Sequence, residues 1–175
     1  MRVREMAETD IDAVAEVRVR GWQSAYAGLM PQAHLDALSV AEDAARRREF
    51  FSLGLGDVVN LVAERADGDV AGWACFGPYR EPDLPSGDAE LYALYARPEL
   101  VGTGVGRALL GETLARVAER GFPRVRLWVL KGNARARRFY ELAGFTPDGG
   151  EVASDVDGVA VPEVRYVLEL GRFPD

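Results

Sequence analysis

The sequence predicts a single α/β domain over residues 1–175: a first strand and two helical regions, an antiparallel hairpin, a strand–helix–strand–helix unit and a closing strand. Three observations carry that prediction. At 175 residues and 48% apolar content, the chain can bury one sizeable core but is short for two. Its hydrophobic spacing alternates between period two and period 3.6, which separates strands from helices. No internal repeat, low-complexity segment or linker divides it.

The opening "RVREM" alternates as a strand does. Through "ETDIDAVAEVRVRGWQSAYAG", Ile11, Val14, Ala15, Val17, Val19 and Trp22 keep helical spacing, with Thr9 or Asp10 as the cap. "PQAHLDALSVAEDAARRREFFSL" predicts a second helical region. Its Arg46, Arg47 and Arg48 point in different directions on a helix and are expected on a solvated face. "VVNLVAER" and "VAGWACFGPYR" read as a hairpin around "ADGD", where Gly68 can take positive φ. The loop "EPDLPSGD" leads into the strand "AELYALYA". A glycine-rich turn, a long helix ending in "ARVAERG" and the strand "RVRLWVL" follow. "NARARRFYELAGF" is a short helix capped by Asn133 and stopped by Gly144, with Ala136, Phe139, Tyr140 and Ala143 on one face. "VPEVRYVLEL" supplies the final strand.

Composition excludes several kinds of function. The single cysteine, Cys75, has no disulfide partner and cannot build a cysteine metal cluster; within "VAGWACFG" it reads as a packed thiol. The single histidine, His34, reads as a surface helix residue, so neither a histidine-rich metal site nor a Ser/His/Asp triad is predicted. The net charge of −7 argues against duplex nucleic acid and fits a cationic small partner. Apolar runs fall far short of the roughly 20 residues of a membrane span. "MRVREMAETD" carries charge where a signal peptide would be apolar. A soluble, cytoplasmic protein with no membrane partner is the expectation.

Three constellations could carry chemistry. "VGTGVGRALL" alternates glycine with other residues ahead of a helix, but its spacing fits neither the dinucleotide fingerprint nor the Walker pattern. Its glycines would let backbone N–H groups approach an anion at a helix N-terminus, and a plain tight turn explains them equally. Arg107 in the first turn opposes the helix dipole unless an anion lies near. "KGNARARR" is either solvated helix surface or a second contact to the same polyanion. Glu90 opens an otherwise apolar strand; it either faces solvent or, in a cleft, serves as a general base.

In order, these motifs resemble those of the GNAT superfamily of N-acetyltransferases. The family's pyrophosphate signature is Arg or Gln, two residues, Gly, one residue, then Gly or Ala; here it reads Val101, Gly104, Gly106. The family's next motif is matched at Asn133, Ala136, Phe139, Tyr140, Gly144 and Phe145. The resemblance implies one mixed, mostly antiparallel central sheet with two splayed parallel central strands, flanked by helices. It further implies acetyl-CoA as cosubstrate, a primary amine of a small molecule or peptide as acceptor, and direct attack in a ternary complex. Dimers are common in the family, so a homodimer is consistent with it. A non-catalytic acyl-CoA-binding or regulatory module is the alternative.

The resemblance also assigns residues. Leu94, Tyr95 and Ala96 would run along the pantetheine arm. Gly102, Thr103, Gly104, Val105, Gly106 and Arg107 would hold the pyrophosphate, and Asn133, Ala136 and Phe139 would contact the cofactor. Tyr140 would protonate the departing thiolate, and Glu90 would take the acceptor's proton, directly or through water. Asn133 and Tyr140 lie about two helical turns apart and so share a face. Two departures stand out: Val101 replaces the signature's polar residue, and Trp128 stands where other relatives carry a Glu. Trp22, Tyr26 and Tyr92, with acids of "EPDLPSGD", would line the acceptor site.

Overall fold

The computed structural model describes residues 1–54, 56–81 and 87–171. Seven strands form one sheet: β1 (Arg2–Glu5), β2 (Val59–Glu64), β3 (Val70–Pro78), β4 (Ala89–Ala96), β5 (Arg124–Leu130), β6 (Thr146–Val156) and β7 (Val159–Glu169). Their spatial order is β1-β2-β3-β4-β5-β7-β6. Among these neighbours β4 and β5 run parallel and the other pairs antiparallel. The helices are α1 (Ile11–Ala25), α2 (Gln32–Asp36), α3 (Val40–Ser52), α4 (Val105–Glu119) and α5 (Ala134–Leu142). No helix among the described residues is long and apolar enough to cross a membrane.

Period-two alternation on the central strands divides the core between two faces. Leu61, Ala63, Ala74 and Phe76 pack with Leu109 and Val117 of α4, while Val62, Val70 and Trp73 pack with Val14 and Val17 of α1. β2 and β3 are therefore covered on both sides and read as nearly continuous apolar runs. Gly72 permits the close seat of α4: a Cβ there would stand 2.7 Å from Val105 Cγ1 and 2.8 Å from the carbonyl oxygen of Tyr95.

Four local expectations are corrected. The segment after Pro31 is two helices, because the Ser39 side chain accepts the Glu42 N–H at 3.3 Å and starts α3 anew. Asp10 does not cap α1 through its side chain; its carboxylate accepts the Ala7 N–H at 2.8 Å and pairs with Arg4. Arg47 is not solvated: it pairs with Asp43 at 2.6 Å and lies 4.1 Å over the Trp73 ring. Residues 146–156, unassigned from sequence, form β6, a mostly exposed strand with a register shift between Pro147 and Glu151.

The feature that positions the site is the divergence of β4 from β5. They pair only at Ala89↔Val125 and Glu90↔Arg126, although both strands continue beyond that point. From Leu91 onward, the β5-facing backbone of β4 has no ladder partner, and an opening runs through the sheet.

Candidate active site

The opening is a groove of about 910 Å³. Leu94, Tyr95 and Ala96 form one bank, and Ala136, Phe139 and Tyr140 of α5 form the other. Gly102, Gly104, Gly106 and Arg107 lie at its end. Thr103 and Val105 do not line it with their side chains. The Thr103 hydroxyl donates to the Leu100 carbonyl at 2.7 Å, and Val105 is buried against β3.

The glycine loop is shaped by two left-handed residues, Gly102 at φ +89° and Gly104 at φ +100°. They turn the chain into α4 so that its first N–H groups meet the groove. The Ala108 N–H returns to the Gly104 carbonyl at 3.0 Å, and the N–H groups ahead of it have no intrahelical acceptor. That end of α4 is a donor-rich, positive terminus suited to an anion. Of the basic cluster after β5, Arg135 lines the groove. Lys131 pairs with Glu151 at 2.7 Å, and Arg137 donates to the Tyr166 hydroxyl at 3.0 Å, so both charges are engaged outside it.

Both predicted termini of α5 are present. Asn133 Oδ1 accepts the Ala136 N–H at 3.1 Å, and Gly144 takes φ +95°. Asn133 also lines the groove. Tyr140 sits edge-on to Phe139 and Phe145, with ring centroids 5.2 and 5.7 Å away. Loss of hydration among these rings, and then the neighbouring Tyr95, raise its pKa above the ordinary tyrosine value. Its hydroxyl therefore stays protonated at neutral pH.

A second cavity of about 410 Å³ opens on the sheet face covered by α1. Tyr26, Tyr95 and Trp128 line both cavities, so the two meet there. The Tyr26 and Tyr95 hydroxyls share a hydrogen bond of 2.8 Å, and burial raises both pKa values. Trp22 lines the second cavity, with its indole N–H buried. Tyr92 lines it as well, with its hydroxyl donating to the Pro78 carbonyl. Within "EPDLPSGD", Glu81 reaches the cavity, whereas Asp88 is buried and paired with Arg124 and Arg126. Residues 82–86 of that loop lie outside the described residues.

Glu90 lines this second cavity and is buried there. Arg80 holds it: Nη2 to Oε1 is 2.8 Å, and the Arg80 backbone N–H reaches Oε2 at 3.1 Å. Sequence reasoning missed Arg80, because only the β3–β4 register brings it beside Glu90. It also missed Glu163 of β7 and Ser154 of β6, which line the same cavity. The signal available was an acid in the final strand, within "VPEVRYVLEL". Cys75 is buried, lines neither cavity, and has its thiol pKa pushed up to about 12 by burial. No group of metal-ligating side chains is found among the described residues.

A family model described as Acetyltransferase (GNAT) family matches residues 22–145. The uncharacterized N-acetyltransferase YuaI of Bacillus subtilis is 32% identical over 165 residues, 93% of this chain and 89% of that protein. A ribosomal-protein-alanine N-acetyltransferase from Brucella melitensis superposes with TM-score 0.77 at 24% identity, covering 97% of this chain and 100% of that one. PaiA N-acetyltransferase from Thermoplasma acidophilum, solved in complex with coenzyme A, superposes with TM-score 0.72 at 22% identity, covering 97% and 98%. The family match begins in the aromatic wall at Trp22 and ends at Phe145 behind Tyr140, enclosing the glycine loop and the splayed strands, and the chain belongs to the GNAT family of acetyltransferases.

Proposed function

We propose that the enzyme transfers the acetyl group of acetyl-CoA to a primary amine, of a small molecule or a peptide, by direct attack in a ternary complex. The observation that carries this reading is the meeting of two cavities at Tyr26, Tyr95 and Trp128, which allows thioester and amine to be present together. Cys75 is buried and lines neither cavity, so it gives no support to an acyl-enzyme route.

Acetyl-CoA is the cosubstrate in this reading, in keeping with the coenzyme A held by the Thermoplasma protein. The N–H groups around Gly102 to Arg107 bind its pyrophosphate at the α4 N-terminus. Asn133, Ala136 and Phe139 contact it from α5, and the unpaired β4 backbone at Leu94 to Ala96 binds its arm and polarises the thioester carbonyl. The amine nitrogen forms a bond to the carbonyl carbon and the C–S bond breaks. Tyr140 gives its proton to the departing sulfur. The proton lost by the ammonium passes to Glu90 through water, since the Arg80 clamp leaves little room for direct approach.

Initial rates measured as thiol release, with both substrates varied, test this. Intersecting double-reciprocal lines are expected. Parallel lines would indicate a covalent intermediate and overturn direct attack. Tight CoA binding with no turnover on any amine would favour a non-catalytic module instead.

A further inference from the structure

Among the described residues, the buried acids on this sheet face are matched with cations, whereas the half-buried Glu163 is not. Asp88 takes Arg124 at 3.0 Å and Arg126 at 2.7 Å, Asp148 takes Arg126 and Arg165, and Glu90 takes Arg80. Glu163 lies opposite Leu130 of β5 and Val152 of β6, and residues directly opposite in a ladder share a face. It is half-buried and lines the second cavity. Its carboxylate accepts the Ser154 hydroxyl at 2.9 Å and has no cation within ion-pair distance among the described residues. Among the described residues, three carboxylates, Glu81, Glu90 and Glu163, line the cavity against one guanidinium, that of Arg80. A partly desolvated site with excess negative charge and aromatic walls from Trp22 and Tyr26 favours cationic ligands.

Where Glu163 stands determines which cation it suits. The reacting nitrogen belongs at the junction of the two cavities, beside Tyr95 and Trp128, whereas Glu163 lines the second cavity alone. A carboxylate against the reacting nitrogen would stabilise its ammonium form and oppose attack. Glu90 has the same placement but is taken up by Arg80; Glu163, left without a cation, can hold a different positive group of the acceptor while the reacting nitrogen gives up its proton. We infer that Glu163 is a specificity-determining residue that binds a second, non-reacting cation of the acceptor, making short dicationic amines the preferred substrates. This rests on the N-acetyltransferase reading for its junction. The cavity of about 410 Å³ is near the small end for ligand sites and suits a short chain.

Three amines of matched length separate the possibilities: 1,4-diaminobutane, n-butylamine and 4-aminobutanoate. The diamine is expected to exceed n-butylamine by at least about tenfold in kcat/KM, chiefly through KM, with 4-aminobutanoate poorest. Glu163→Gln is expected to collapse the diamine-to-monoamine ratio toward unity, and Glu163→Asp to retain part of it. Calorimetric titration of the diamine into the CoA-bound protein gives a readout independent of turnover, with affinity expected to fall about tenfold in Glu163→Gln. Equal kcat/KM for diamine and monoamine, or an unchanged ratio or diamine affinity in the variant, overturns the inference. Glu163-dependent diamine binding without acetylation of any amine would overturn the transfer reading and leave the cation site standing. Acetylation with no charge preference would do the reverse.

Discussion

Arg80 grips both oxygens of the Glu90 carboxylate, with Nη2 to Oε1 at 2.8 Å and Nε to Oε2 at 3.3 Å. Glu90 is buried, while Arg80 extends outward and lies 3.9 Å over the Tyr92 ring. Removing the guanidinium would leave a desolvated carboxylate without its partner. Arg80→Ala is expected to lower unfolding stability by about 2 kcal/mol in urea titrations, less than for a fully buried pair because Arg80 is partly solvated. Glu90→Gln in the same background should recover part of that loss. In the otherwise unaltered protein, Glu90→Gln is expected to slow turnover at least about tenfold. An unchanged kcat would confine Glu90 to holding Arg80.

Tyr140 meets the requirement for an acid that stays protonated until the thiolate forms. Burial raises its pKa, so its own ionisation should contribute no descending limb to kcat through at least the ordinary tyrosine value of about 10. Tyr140→Phe keeps the ring contacts with Phe139 and Phe145 and removes only the donor. A fall of about a hundredfold in kcat, with CoA affinity little changed, is the expected result. Equal rates for the two proteins would remove Tyr140 as the acid.

The strands and helices that bury an apolar face were legible because periodicity reports burial. β2, β3, α4 and α5 lie where the spacing put them, and the caps of α5 are the residues whose chemistry suits caps. β6 was not legible: its residues are mostly exposed, "PDGG" opens with turn formers, and its pairing depends on β7 across a register shift. The glycine loop could be placed because positive φ and a helix start have sequence signals. Arg80 and Glu163 could not. The first reaches Glu90 through cross-strand pairing, and the second joins the cavity through ladders with β5 and β6, neither of which leaves a local pattern. Arg47 was misread for a related reason, since its cover, Trp73, comes from a distant strand.

Stability in acid should depend on Asp10. Its carboxylate accepts two hydrogen bonds from Arg4, at 2.6 and 3.0 Å, and one from the Ala7 N–H at 2.8 Å. The hydrogen bonds from Arg4 lead the effects that lower its pKa on folding. A depressed folded value means the contribution is present above the unfolded value of about 3.9 and is lost as pH falls through the lower folded value. Asp10→Asn should therefore be less stable than the parent near neutrality, with the gap closing below about pH 4. Chemical unfolding of both proteins across that range checks the sign. A gap that widened on acidification would contradict the assignment.

Two glycines of the α4 region separate backbone conformation from space. A Cβ added at Gly104 or at Gly111 would meet nothing within 4 Å, so neither substitution is opposed by a clash. Gly104 sits at φ +100° before the first turn, in the left-handed region that costs an L-residue about 1–2 kcal/mol. Gly111 lies within the right-handed run of α4, where alanine is better than glycine by roughly 0.8–1 kcal/mol. Gly104→Ala is accordingly expected to lower the thermal midpoint by roughly 2–4 °C for each kcal/mol lost, and Gly111→Ala to raise it. Only the first should also weaken CoA binding, because relaxing the strained residue turns the loop N–H groups away from the groove. If both variants moved the midpoint in the same direction, the left-handed turn would not be what sets the loop, and the anion site would need another origin.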